Sequence, residues 1–230
     1  MRRLIVLLLA SSAMLVAQRK PFDVNALLAL KRLSDPQISP DGKWVAFSVQ
    51  TVDVAANKKP TQIWVVPLEG GGAPQQVTHD GEGNSRPRWS PDSKRIAYLS
   101  DRGGSSQIWL MDPDGGNAKQ VTNLATEADG HVLSGDGKNL VFTSSVYPEC
   151  GADDACNQKL LDAEKSSKVK ARVHTELLYR HWTGWQGKRR NHVLVVPVTG
   201  GAAVRAIRFF GPGKREATPR LQTRLQVLAS

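Results

Sequence analysis

Short apolar runs alternate with turn residues through the middle of this chain. The clearest stretch is Arg86 to Thr122. A run ending at Trp89-Ser90 meets the turn Pro91-Asp92-Ser93, and Arg95 to Leu99 leaves it as a second strand. Asp101 to Gly104 turns the chain again, Ile108 to Met111 forms a third strand, Asp112 to Gly116 a third turn, and Lys119 to Thr122 a fourth strand. Four strands joined by short turns predict one antiparallel meander sheet. In such turns proline presets φ at the first corner, aspartate caps the turn through its side chain, and glycine accepts a positive φ.

The unit recurs. Pro40-Asp41-Gly42 is the turn of an earlier copy that continues through Trp44 to Ser48, Gln62 to Pro67 and Gln76 to Thr78. A weaker third copy runs from His131 to Ser144 around Gly135-Asp136-Gly137. Its second half is His192 to Pro197, followed by Gly200-Gly201. The turn aspartates Asp41, Asp92 and Asp136 lie 51 and 44 residues apart, a period that fits propeller blades with variable loops. The prediction is an all-β fold, a partial β-propeller of about three four-stranded antiparallel blades. The blades fall near 35–80, 85–125 and 130–201, inside a propeller region of 23–201. Trp44, Trp64, Trp89 and Trp109 are expected at equivalent strand positions, as packing residues rather than a ligand platform.

The repeat is flanked and interrupted by other material. Met1-Arg2-Arg3 precedes an apolar run to Ala17, broken by Ser11 and Ser12. Basic residues, a short apolar segment and small residues predict a signal peptide over 1–17, cleaved after Ala13 or Ala17. The run falls short of the roughly 20 apolar residues of a membrane span. The mature chain is therefore expected to lack a span and to be periplasmic or secreted. Asp23 to Leu33 reads as a short helix with Asp23 as N-cap, Lys31-Arg32 in the last turn and Pro36 as its stop. Residues 146–191 do not fit a strand pair and read as an insertion in the third blade. Asn157 to Leu178 within it has a helical apolar pattern.

Cys150 and Cys156 are the only cysteines. In an exported protein a disulfide is the expected pairing, with free thiols or metal as alternatives. Two thiols without nearby histidines do not make a zinc site.

The net charge of +10 suggests nucleic acid until it is partitioned. Residues 1–22 hold four basic side chains and no acidic one, and residues 202–230 hold six and one. The repeat region is nearly neutral, so no nucleic-acid partner is expected. Nor does any motif point to catalysis or a cofactor. There is no Gly-x-Ser-x-Gly elbow, no phosphate-binding loop and no His-Glu-x-x-His helix. His174 and His181 read as surface or packing residues. No catalytic residue, cofactor site or metal site is assigned.

Ser39-Pro40-Asp41-Gly42 and Trp89-Ser90-Pro91-Asp92-Ser93 resemble the repeats of TolB proteins and of the prolyl oligopeptidase family. Three segments tilt the resemblance to the second, in its acylaminoacyl-peptidase-like and dipeptidyl-peptidase-like branch. These are Asn25 to Gly42, Tyr147 to Asn157, and Leu178 to Trp182 with Trp185 and Lys188-Arg189. The resemblance covers roughly residues 22–201. It implies an N-terminal propeller that restricts access to a Ser-Asp-His site in a C-terminal α/β-hydrolase domain, which cleaves short or N-terminally blocked peptides. That domain and its peptide substrates are the implied partners, and no residue of the triad falls on this chain. After Gly201 the blade pattern stops. Residues 202–230 read as a basic tail, disordered or out of frame, and the chain as a truncated portion. The alternative is a TolB-like periplasmic propeller that serves as a protein-binding module.

Overall fold

In a computed structural model, described over residues 22–169, 171, 180–182, 184, 185 and 187–206, the chain divides into two units, 1–30 and 31–230. The segment read as a signal peptide lies outside the described residues.

The first unit contributes one helix, α1 (Val24–Ala29). Its N-cap carboxylate, Asp23 Oδ1, accepts the Ala26 N–H at 2.8 Å. The sequence pattern extends this helix to Leu33, but the structure ends it at Ala29, with Leu30 already extended. No basic residue lies in its last turn. Lys31 begins the second unit, and Arg32, Leu33 and Pro36 belong to a strand. Proline lacks only the N–H donor, which a strand at a bulge does not need.

Among the described residues the second unit holds three four-stranded antiparallel sheets, the blades of an open, partial propeller, and one two-stranded hairpin. The first comprises β1 (Arg32–Ile38), β2 (Trp44–Gln50), β3 (Thr61–Pro67) and β4 (Gln75–Gln76). The second comprises β5 (Ser85–Trp89), β6 (Ile96–Ser100), β7 (Gln107–Met111) and β8 (Lys119–Gln120). The third begins with β9 (Asp129–Leu133) and β10 (Asn139–Val146). After β10 come helix α2 (Asp154–Ser166) and a two-residue hairpin, β11 (Arg180–His181) with β12 (Gly184–Trp185). The sheet resumes with β13 (Arg190–Pro197) and closes with β14 (Val204–Arg205).

Three details differ from the sequence pattern. Val146 pairs with Arg190, so the insertion is shorter than 146–191 at both ends. The helix inside it starts at Asp154, where Asp153 caps it, and ends at Ser166. His174 and the rest of the segment read as helical up to Leu178 lie outside the described residues, apart from 167–169 and 171. The third blade also has its fourth strand within residues 202–230: Val204 pairs with Val195 and Arg205 with Leu194. The pairing needs only extended backbone, so no sequence signature marks it. Residues 207–230 lie outside the described residues.

Alternation along the strands gives each blade two apolar faces. One face of the first blade, Ala46, Ile63, Val65 and Val77, packs on Trp89, Ile96, Tyr98 and Met111 of the second. The other face of the second blade, with Ala97, Leu99, Ile108, Leu110 and Val121, packs on Leu133, Leu140, Phe142, Leu194 and Val196 of the third. The two seams use equivalent positions, so the same interface is built twice. The opposite face of the first blade carries the equivalents of Trp89 and Ile96, namely Ile38 and Val45, and there Ile38 is 63% exposed.

The tryptophans do not all fall at equivalent places. Trp64 and Trp109 do, opposite Phe47 and Tyr98. Trp89 ends a first strand and is buried, whereas Trp44 starts a second strand, opposite Pro67, and is exposed.

Candidate functional site

The first strands of neighbouring blades meet, β1 with β5 and β5 with β9, so the blades fan outward from them. Each first strand carries a bulge against its partner. Beside each bulge one residue has a positive φ: Asp35 at 51°, Arg86 at 55° and Gly130 at 56°. Each lies four residues before the serine that opens the following turn. A bulge bends its strand and re-aims the neighbouring side chains. Arginine in the left-handed region is a strained choice, which glycine at the third site avoids.

The bulges turn charged side chains toward the hub, where they pair across the blades. Arg88 Nη1 donates to Asp35 Oδ2 at 2.7 Å, joining the second blade to the first. Arg86 Nη1 stands 3.2 Å from Asp129 Oδ1, joining the second to the third. The Asp35 and Arg88 side chains are 28% exposed, and those of Arg86 and Asp129 are 48% and 60% exposed. Pairs this wet contribute at most about 1 kcal/mol each. Their chemistry is a row of two guanidinium groups flanked by two carboxylates, able to hydrogen-bond a peptide backbone or its charged ends. Asp35 is further held by Gln37 Nε2 at 3.0 Å, and Trp89 Nε1 donates to the Gln37 carbonyl at 3.0 Å. Sequence inspection missed this row. The available signal was the dipeptide Asp35-Pro36 recurring as Arg86-Pro87.

His131 lies beside the row. It is 2% exposed, and neither ring nitrogen has a hydrogen bond. Burial pushes its pKa down to about 4; the Ala97 backbone opposes the shift, and Arg88 and Arg86 add to it. Among the described residues no group of three or more His, Cys, Asp or Glu side chains is placed to hold a metal.

The turn residues singled out in the sequence are brought together by one repeated geometry. In the first turn the Ser39 hydroxyl donates to Asp41 Oδ1 at 2.6 Å, the Lys43 N–H donates to the same oxygen at 3.2 Å, and the Trp44 N–H donates to Ser39 Oγ at 3.0 Å. Ser90, Asp92, Lys94 and Arg95 repeat it at 2.6, 3.1 and 2.9 Å. Ser134, Asp136, Lys138 and Asn139 repeat it at 2.5, 3.0 and 3.0 Å. All three carboxyls are held below their ordinary pKa, the serine hydrogen bond being the largest cause. The serine is thus as much a part of the motif as Pro40, Pro91 and the aspartates. Gly42, Ser93 and Gly137 take the positive-φ corner, at 71°, 59° and 67°. Ser93 is the exception to glycine there. Its hydroxyl accepts the Asp41 N–H at 3.0 Å, linking the first two turns.

A second repeat staples the closing strands. Gln107 Oε1 accepts the Thr122 hydroxyl at 2.8 Å and the Leu124 N–H at 3.1 Å, while its Nε2 donates to the Leu124 carbonyl at 2.8 Å. Thr122 Oγ1 in turn accepts the Ile108 N–H at 2.9 Å. In the first blade Gln62, Thr78 and Ile63 do the same.

In the insertion the sulfurs of Cys150 and Cys156 are bonded, with Cα atoms 5.5 Å apart. The buried Asn157 organises this loop. Its Oδ1 accepts the Tyr147 N–H at 2.9 Å, and its Nδ2 donates to the Gly151 and Asp153 carbonyls at 3.0 and 2.8 Å. The Tyr147 hydroxyl donates to Glu164 at 2.6 Å. Burial, then this bond, pushes its pKa up to about 12. Asp154 Oδ1 accepts the Ala125 N–H at 2.8 Å, tying the insertion to the loop between the second and third blades.

Repeated four-stranded blades, serine–aspartate turns and bulged inner strands define a propeller-repeat protein. Residues 29–161 match the model of the TolB β-propeller domain, and the chain belongs to that family. It is 36% identical over 160 residues to dipeptidyl-peptidase 5 of Porphyromonas endodontalis and 34% identical over 158 residues to that of Porphyromonas gingivalis. Each match covers 69% of this chain and 22% of the relative. Acylaminoacyl peptidase of Pyrococcus horikoshii shares the fold at a TM-score of 0.59 and 19% identity, over 78% of this chain and 25% of that one. The chain thus spans about a quarter or less of the length of these peptidases.

Proposed function

We propose that this chain is the N-terminal, substrate-gating propeller portion of an exported serine peptidase that acts on short or N-terminally blocked peptides. The catalytic α/β-hydrolase domain lies outside it. The observation that carries the reading is the 36% identity to a dipeptidyl-peptidase of which the chain accounts for only 22%. The row of charged groups from Asp35 to Asp129 gives the gate a peptide-facing surface. Export rests on the Arg2-Arg3 and apolar pattern of residues 1–17. Among the described residues no helix is long and apolar enough to cross a membrane, which is compatible with it.

The test has two arms. The gene is read in all three frames from the codon for Gly201, where a further hydrolase segment with a Gly-x-Ser-x-Gly elbow is expected. The pure 230-residue chain is assayed on dipeptidyl and acylaminoacyl chromogenic peptides, and no turnover is expected. Hydrolysis by this chain alone, or continuation into further blades without an elbow, overturns the proposal. The second outcome favours the other reading, a TolB-like protein-binding module, to which the family match also points. Recovery of the secreted product with its N-terminus just after Ala13 or Ala17 tests export.

A further inference from the structure

In the first and second blades the residue after the positive-φ residue of the inner-strand bulge is a proline, Pro36 or Pro87, whereas in the third it is His131. The substitution puts a titratable ring where the fold otherwise places one that carries no charge. The ring is enclosed at the junction of β9 with β5 and β6, and neither nitrogen has a hydrogen-bond partner. From β5 it faces Arg86 and Arg88, and from its own strand Asp129. From β6 the backbone of Ala97 approaches, and Tyr98 is the only ionising side chain on that strand. The strands β7 and β10 carry no charged residue. Asp35 and Asp129 are already engaged by Arg88 and Arg86.

We propose that His131 is an acid-sensitive latch on the seam between the second and third blades, holding it shut while the ring is neutral and releasing it when the ring is protonated. An imidazolium here is buried beside two guanidinium groups, and the Ala97 backbone and Asp129 offset that only in part, so protonation favours any state in which β9 leaves β5 and the ring meets water. The sign follows from linkage. The folded-state pKa, about 4, lies below the ordinary 6.5. The latch is therefore fully effective above about pH 6.5 and weakens as pH falls toward 4. Within that window the ratio of open to closed seam rises by up to about tenfold per pH unit. The inference concerns the hub of the proposed gate but does not require the peptidase reading, because it is measured on this chain without substrate.

The experiment is amide exchange of β5 and β9 from pH 7 to 4.5, normalised for intrinsic exchange, on the unaltered chain and on His131→Leu and His131→Pro. The expected result is an opening ratio that rises steeply with acid in the unaltered chain and stays flat in either variant. A proton NMR titration of the His131 ring in the unaltered chain is the second measurement, and it needs no variant to fold. A midpoint near 6.5 overturns the proposal, as does equal acid sensitivity of chain and variants. A midpoint near 4 together with a flat variant profile supports it.

Discussion

Replacing Gln107 by alanine should be among the most damaging single changes in the second blade. Its side chain is 2% exposed and serves the Thr122 hydroxyl, the Leu124 N–H and the Leu124 carbonyl. Thr122 is itself 3% exposed. Truncation leaves up to three polar groups without partners in a space too closed for water to replace them all. At about 1–3 kcal/mol for each group stranded, and with partial rescue at the loop end of Leu124, the loss should be about 3–4 kcal/mol. For a domain of this size that lowers Tm by about 10 °C. Gln62→Ala in the first blade should cost less, because Gln62 is half-buried and water can reach its partners. The assay is urea unfolding followed by tryptophan fluorescence and circular dichroism. A double-mutant cycle with Thr122→Val adds a sharper criterion. Residues sharing one network should be non-additive by 1 kcal/mol or more. A loss below about 1 kcal/mol for Gln107→Ala, or full additivity with Thr122→Val, refutes the claim that this staple fixes the closing strand.

Three further outcomes are expected. Ser93→Ala keeps the positive φ and loses the bond from Asp41, so it should cost about 1 kcal/mol, whereas Ser93→Gly relieves the backbone and should be near neutral. Thermal melts of the two variants check the order. The turn aspartates have folded pKa values below the ordinary 3.8, so their stabilisation is present above that value and is lost as pH falls through the folded value. Asp92→Asn should therefore flatten the acid limb of the stability curve below pH 4, read by denaturant titration at each pH. Asn157→Ala should abolish exchange protection of the Tyr147 amide, while reduction of Cys150–Cys156 should leave it largely intact. The amide is held by Asn157 and not by the disulfide.

The blades were legible because their information is local. Turn residues at fixed offsets from apolar runs specify where each hairpin reverses, and Asp41, Asp92 and Asp136 sit in the turns that pattern predicts. What was not legible depends on partners far along the chain. Asp35 meets Arg88 across 53 residues, and nothing in either neighbourhood announces the other. The bulges need one residue with positive φ, but Asp, Arg and Gly fill that role, so no single residue type marks it. The fourth strand of the third blade, Val204–Arg205, is two residues long and lacks the closing Val-Thr of the other copies. Helix α1 was overextended because Leu30 to Leu33 is apolar and basic, which suits a helix end as well as a strand edge. There the chain takes the strand.

The two seams have a consequence for how the molecule comes apart. Because the same face-to-face contact is made twice, the three blades behave as a short series of nearest-neighbour couplings, in which stability is the sum of each unit's own term and the terms linking it to its neighbours. The second blade is coupled on both sides, and the first shows an exposed Ile38 where the second buries Trp89. Such a series melts inward from its ends, so the strands β6 and β7 should be the last to lose order, and the rate at which they do so reports the sum of both couplings rather than either one.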